Sequence, residues 1–225
     1  MTKLVIGLGT GRSGTSSLSA LLNRQSDAFV THERSGNEIK WQGSEGRIKA
    51  LLEEAAGSVK RLYGDIGFYY LPYVEFILQG TKEVKFICIQ RSKKETVRSY
   101  LIKTRGRNHW YEHNGKFWDR SAWDDCYPRY PFRNKSKALR RYWEDYYARS
   151  SELAEKFPQN FAVFQLSDLN TGSGQRRILS FLEIPENEQN LLPFNIKNKL
   201  EYNWTSYMIH TIKRFFRSLL KRNSV

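Results

Sequence analysis

Short apolar runs and stretches of helical periodicity alternate along most of this chain. Leu4-Val5-Ile6-Gly7-Leu8 is too short for a helix and opens into a glycine-rich turn, which predicts a first strand. Leu18, Leu21 and Leu22 then recur at the three-to-four spacing of a helix face. Phe29-Val30 reads as a second strand ending at Thr31-His32-Glu33-Arg34, and Arg47–Ala56 as a helix. Arg61-Leu62-Tyr63 starts a strand that ends at Gly64-Asp65, and Tyr70–Leu78 predicts another helix. Glu83–Gln90 carries Val84-Lys85-Phe86-Ile87-Cys88-Ile89, a buried strand closed by Arg91-Ser92 and followed by a helix over Lys94–Lys103. Strands alternating with helices in this way predict the α/β class, a central parallel sheet flanked by helices.

From about Thr104 to Asn134 the periodicity stops. The stretch is aromatic and charged, and a loop this long inside a domain is usually functional. Regularity returns with a helix from Ser136 to Lys156 bearing Leu139, Tyr142, Trp143, Tyr146 and Leu153. A strand over Phe161–Leu166 and a helix over Gln175–Leu182 follow, and the tail Trp204–Lys221 reads as a last helix. No Pro/Gly/Ser-rich linker divides the 225 residues, so one domain over 1–225 is expected.

Composition changes this picture in two ways. The chain is 40% hydrophobic, enough for a core, and its net charge of +14 predicts an anionic partner. Nucleic acid, anionic lipid and a phosphorylated small molecule all satisfy charge alone. No run of about 18 apolar residues occurs, so no membrane span is expected. Two cysteines, Cys88 and Cys126, make no disulfide framework, and the cytoplasm is the expected compartment. The last helix carries Lys213, Arg214, Arg217, Lys221 and Arg222, which would suit peripheral contact with an anionic membrane; a solvated basic face is the plainer reading.

The chemistry begins at Gly9-Thr10-Gly11-Arg12-Ser13-Gly14. A glycine-rich turn between a strand and a helix gathers backbone N–H groups around an anion, and Ser13, Thr15 and Ser16 add hydroxyls. Gly9 and Gly14 have the spacing of a nucleotide triphosphatase loop, yet Thr15 stands where that loop has its lysine. The cation available is Arg12. Without the lysine, a triphosphate with Mg²⁺ is poorly served.

This loop resembles the 5′-phosphosulfate-binding loop of sulfotransferases that use 3′-phosphoadenosine 5′-phosphosulfate (PAPS), in the arginine-containing version of carbohydrate and bacterial members. Arg91 at a strand end, with Ser99 eight residues later, is similar to the family's 3′-phosphate element. The resemblance spans roughly Leu4 to Leu101 and continues more faintly through Phe161–Leu169 and Phe181–Pro185. It implies a P-loop-like sulfotransferase fold that binds PAPS through Gly11, Arg12, Ser13, Gly14, Thr15, Ser16, Arg91 and Ser99, without metal. It implies sulfuryl transfer to an acceptor hydroxyl or amine, on a small molecule or glycan. Arg12 would meet developing charge, and Glu33, or else His32, would take the acceptor's proton. Lys197 and Lys199 match the family's C-terminal basic loop poorly.

Other readings stay in view. His109-Trp-Tyr-Glu112-His113 fits an inverted zincin motif, but the neighbouring Asn108 and Asn114-Gly115 favour a loop over the required helix. The same stretch offers Trp110, Tyr111, Phe117, Trp118 and Trp123 as walls of an acceptor pocket. A nucleotide kinase or NTPase is the alternative enzyme class. A basic nucleic-acid binder is the non-enzymatic one, although no RNA-recognition element or helix-turn-helix is present and no nucleic acid is expected as a partner.

Overall fold

The computed structural model describes residues 2–193. Five parallel strands form one sheet: β1 (Lys3–Leu8), β2 (Ala28–His32), β3 (Leu62–Ile66), β4 (Val84–Gln90) and β5 (Phe161–Gln165), in the order β2-β3-β1-β4-β5. The helices are α1 (Thr15–Leu22), α2 (Glu45–Ala56), α3 (Val74–Gly80), α4 (Lys93–Lys103), α5 (Lys135–Lys156) and α6 (Gly172–Phe181). The chain is a single-domain α/β fold, and its sheet is flanked by helices on both faces.

Alternation along the strands divides the core in two. Leu4, Ile6 and Leu8 of β1, with Val84, Phe86 and Cys88 of β4, pack on the face covered by α2, α3 and α5. Val5, Ile87 and Ile89 face the other way, onto Leu18, Leu21 and Leu22 of α1 and Ile178 and Leu179 of α6. Because both faces are covered, β1 and β4 read as near-continuous apolar runs.

Two elements differ from the sequence expectation. Phe68–Tyr73 is a 3₁₀ segment, and α3 starts only at Val74. Pro72 lies inside that segment and has no N–H to give to an α-helical ladder. Helix α6 begins at Gly172, because the Thr171 side chain caps it by accepting from the Gly174 N–H at 3.1 Å. Gly174 also packs so closely that a Cβ there would lie 2.3 Å from the Asp168 carbonyl oxygen. Both cysteines are buried and unbridged. No helix of the described residues is long and apolar enough to cross a membrane. The expected tail helix 204–221, with Lys197 and Lys199, lies outside the described residues.

The sheet order sets the place for a ligand. From β1 the chain leaves toward β2, and from β4 it leaves the opposite way toward β5, while β1 and β4 are hydrogen-bonded neighbours. Their carboxyl ends therefore flank the point where the connections diverge, the crevice that open α/β sheets use for binding.

Helix α5 clamps both loops at that crevice. Tyr142, Trp143, Tyr146 and Tyr147 lie on one of its faces. Tyr146 Oη accepts from the Gly9 N–H at 3.0 Å and donates to the Phe68 carbonyl at 3.1 Å. Tyr142 donates to the Thr10 carbonyl at 3.1 Å, and the same carbonyl also accepts from the Tyr100 hydroxyl. Tyr147 donates to the Ile89 carbonyl at 2.9 Å, and Trp143 Nε1 to that of Arg91 at 2.9 Å. Burial pushes the Tyr142 and Tyr146 hydroxyls far above their usual pKa, so they stay protonated and able to donate. Tyr146→Phe would leave the Gly9 amide without its partner and take one donor from the Phe68 carbonyl. It is expected to cost about 1–3 kcal/mol, read as a lower denaturant midpoint with an unchanged m-value; an unaltered midpoint would refute the clamp.

Candidate functional site, an anion-binding cleft at the sheet's carboxyl edge

The loop after β1 folds into a cradle because its residues tolerate left-handed backbone. Gly11 stands at φ 76°, Arg12 at 58° and Gly14 at 103°. A Cβ at Gly11 would lie 2.2 Å from the Tyr100 hydroxyl, so the position requires glycine on space as well as on φ. With the Thr10 and Arg12 carbonyls bonded on the protein side, the loop's donors are left over. Among the described residues, the amide N–H groups of Arg12, Ser13, Gly14, Thr15 and Ser16 have no protein acceptor. Five such donors at the start of α1, whose dipole adds positive potential, are the arrangement an anion would need.

The two sequence elements singled out for phosphate meet here. Arg12 Nε donates to Ser99 Oγ at 3.0 Å, joining loop and α4 across 87 residues of sequence. Arg91 sends one arm to the Arg12 carbonyl at 3.1 Å, and its Nε lies 3.5 Å from Glu95. His32 Nε2 pairs with Thr15 Oγ1 at 3.0 Å, at the other lip.

Gly11, Arg12, Gly14, Thr15, Ser16, His32, Glu33, Arg91 and Ser99 all line one cleft of about 680 Å³. Of the sequence-derived site residues, Ser13 alone does not line it. Its side chain is fully buried beneath the loop, and its Oγ has no partner.

Glu33 follows β2 and stands at φ 53°, a left-handed conformation unusual for glutamate. Burial raises its carboxyl above the ordinary range and Asp65 adds to the rise, while His32 and Arg12 oppose it. Asp65, at the end of β3, is a structural acceptor. It takes hydrogen bonds from Thr31 Oγ1 at 2.7 Å and the Tyr70 hydroxyl at 2.9 Å.

The cleft also holds residues that sequence reading passed over. Arg98, Lys103 and Arg107 bring its cations to five, against the carboxylates Glu33 and Glu95. Arg91, Glu95, Arg98, Ser99, Ile102 and Lys103 recur at the spacing of one helix face, a signal available in the sequence once α4 was placed.

The segment 104–134 is irregular as expected, with one short 3₁₀ turn at Asp124–Cys126, but its aromatic residues are distributed differently. Of the five expected to line the pocket, only Trp123 does. Trp110 is fully buried, edge-on to Tyr100 at 5.0 Å and packed on Tyr127 at 4.7 Å, so it belongs to the core. Phe117 is 72% exposed. The other rings that line the cleft are His32, Phe68, Tyr100, His109 and Tyr127. Tyr127 stacks on Phe68 at 4.3 Å and on His109 at 5.2 Å.

His109 and His113 do converge, but on Asp124, with Nδ1 of His109 at 2.7 Å and Nε2 of His113 at 3.7 Å; Glu112 is exposed. No group of three His, Cys, Asp or Glu among the described residues is arranged to hold a metal ion. Compared with known proteins, the chain matches no family model and no curated protein sequence.

Proposed function

We propose that this protein is a sulfotransferase that binds PAPS in the cleft and transfers its sulfuryl group to an acceptor hydroxyl. The observation that carries the reading is the Arg12–Ser99 contact. It brings a loop suited to a 5′-phosphosulfate and an Arg91/Ser99 element suited to a 3′-phosphate into one cationic cleft. A ligand with two separated anionic groups fits that arrangement better than a triphosphate does. Thr15 in place of the loop lysine weighs against a kinase or NTPase. The glycine loop and Arg91 stand at the carboxyl ends of β1 and β4, where open parallel sheets bind ligands, which supports a phosphate-bearing ligand there.

In this reading the acceptor oxygen forms a bond to sulfur as the bond from sulfur to the 5′-phosphate oxygen breaks. The departing adenosine 3′,5′-bisphosphate (PAP) keeps the electron pair, and the acceptor's proton passes to Glu33. Arg12 and the free loop amides meet the charge growing on the bridge oxygen. His32, bonded to Thr15, supports the loop and is the second choice for base. No metal takes part.

PAP should raise the melting temperature by mass action, and ATP should do so far less, with no dependence on Mg²⁺. Arg91→Ala should lose on the order of 2–5 kcal/mol of PAP binding and Ser99→Ala less, measured by calorimetric titration. Equal stabilisation by Mg-ATP, or wild-type PAP affinity in a folded Arg91→Ala protein, would sink the assignment.

Glu33 yields a paired prediction. Its folded pKa lies above the unfolded value, so its favourable contribution to stability is full below the unfolded pKa. That contribution is lost as pH rises through the raised folded value. At neutral pH Glu33→Gln should therefore be more stable than the parent, yet transfer more slowly by about 10²–10⁴ with PAP affinity little changed. In the parent, turnover should climb with pH through the raised Glu33 value. Near-normal turnover in Glu33→Gln, with loss in His32→Ala, would move the base to His32.

A further inference from the structure

Helix α4 carries a single carboxylate, and it stands among the residues assigned to a phosphate. Glu95 lines the cleft one turn before Ser99, on the same face of the helix. Its carboxylate lies 3.5 Å from Arg91 Nε and is the only ion-pair partner of Arg91 among the described residues. That Nε is buried and makes no hydrogen bond, while Nη1 is taken by the Arg12 carbonyl at 3.1 Å. Glu95 has a second anchor, because Ser92 Oγ donates to it at 2.8 Å. The Ser92 hydroxyl holds the Glu95 carboxyl below the ordinary glutamate range, with Arg91 adding to the fall and burial opposing it. Glu95 is therefore charged at neutral pH.

We propose that Glu95 is a resident counter-anion that competes with the ligand's 3′-phosphate for Arg91 and so sets the strength of that subsite. The inference rests on the sulfotransferase reading and deepens it. With Nη1 given to the loop, the Nε edge of Arg91 is the one left to fork onto a phosphate, and Glu95 already faces it. A phosphate held by Arg91 and Ser99 then lies beside a carboxylate of like charge, which weakens its binding. Ser92 remains a partner for Glu95 when Arg91 turns to the phosphate, so the exchange leaves no bare carboxylate.

The consequence is reversibility. Five cations and a row of free amides around a ligand with two anionic groups favour retention, of product as much as of donor. Release of a tightly held product limits many enzymes. Glu95 opposes the 3′-phosphate of PAPS and of PAP alike, and so shortens the stay of the product while lowering the affinity for both.

The test titrates the full chain and its Glu95→Gln variant calorimetrically with PAP and with adenosine 5′-monophosphate, which has no 3′-phosphate. Glutamine keeps the size of the side chain and an acceptor for Ser92 but removes the charge. Because Glu95 is more than half exposed, water screens its effect, and Glu95→Gln should bind PAP about two- to fivefold more tightly. The dissociation rate of labelled PAP, followed by displacement, should fall by a similar factor. Affinity for the monophosphate should not change. Glu53→Gln removes an exposed carboxylate of α2 that does not line the cleft, and should alter neither ligand. Melting curves confirm that each variant is folded. The inference is overturned if Glu95→Gln binds PAP like the parent or more weakly, if the monophosphate gains as much as PAP, or if Glu53→Gln produces the same gain. Failure of PAP to bind the parent chain would instead refute the sulfotransferase reading.

Discussion

Hydroxyl groups reaching up from α5 hold the backbone of the Gly9–Gly14 loop, and the rest of the cleft depends on that contact. Carbonyl oxygens lying near a bound anion would repel it. Here the Thr10 carbonyl accepts from Tyr142 and Tyr100, and the Arg12 carbonyl from Arg91, so the loop's acceptors are used on the protein side. The five unpartnered amides are the complement of that arrangement. The same helix face grips the β4 end through Tyr147 and Trp143, so the two lips of the crevice are referenced to one rigid body. Low-dielectric surroundings strengthen these bonds and make their loss costly.

The cleft accepts unfavourable terms in return. Arg12 and Glu33 both hold left-handed backbone that costs roughly 1–3 kcal/mol each for such residues. Glu33 is also half-buried as a carboxylate, and Ser13 Oγ is buried without a partner. All three lie within or beside the loop. The hydrophobic clusters on the two faces of the sheet supply the stability that offsets them.

Electrostatics gives the cleft direction. Arg12, Arg91, Arg98, Lys103 and Arg107 line it, against the carboxylates of Glu33 and Glu95 and the imidazoles of His32 and His109. An anionic ligand would be drawn to these cations. Burial raises the Glu33 carboxyl and lowers the His109 imidazole, so each is pushed toward its neutral form.

Local patterns by themselves determined the alternation of strands and helices, the glycine loop and the Arg91–Ser99 spacing, because each is set within a few turns of chain. Strand β1 announced itself as Leu4–Leu8, and Gly9, Gly11 and Gly14 announced the turn after it. The tertiary structure decided what long-range contacts decide. Tyr142, Trp143 and Tyr146 read in sequence as ordinary helix-face residues, and only packing against the loops makes them its clamp. Trp110 and Trp123 look alike in an aperiodic stretch, yet one is core and the other faces the cleft. No local period records which ring is covered when no regular element orders the segment. The same holds for His109, whose partner Asp124 is fifteen residues away along an irregular path, so only the folded loop could reveal the pair.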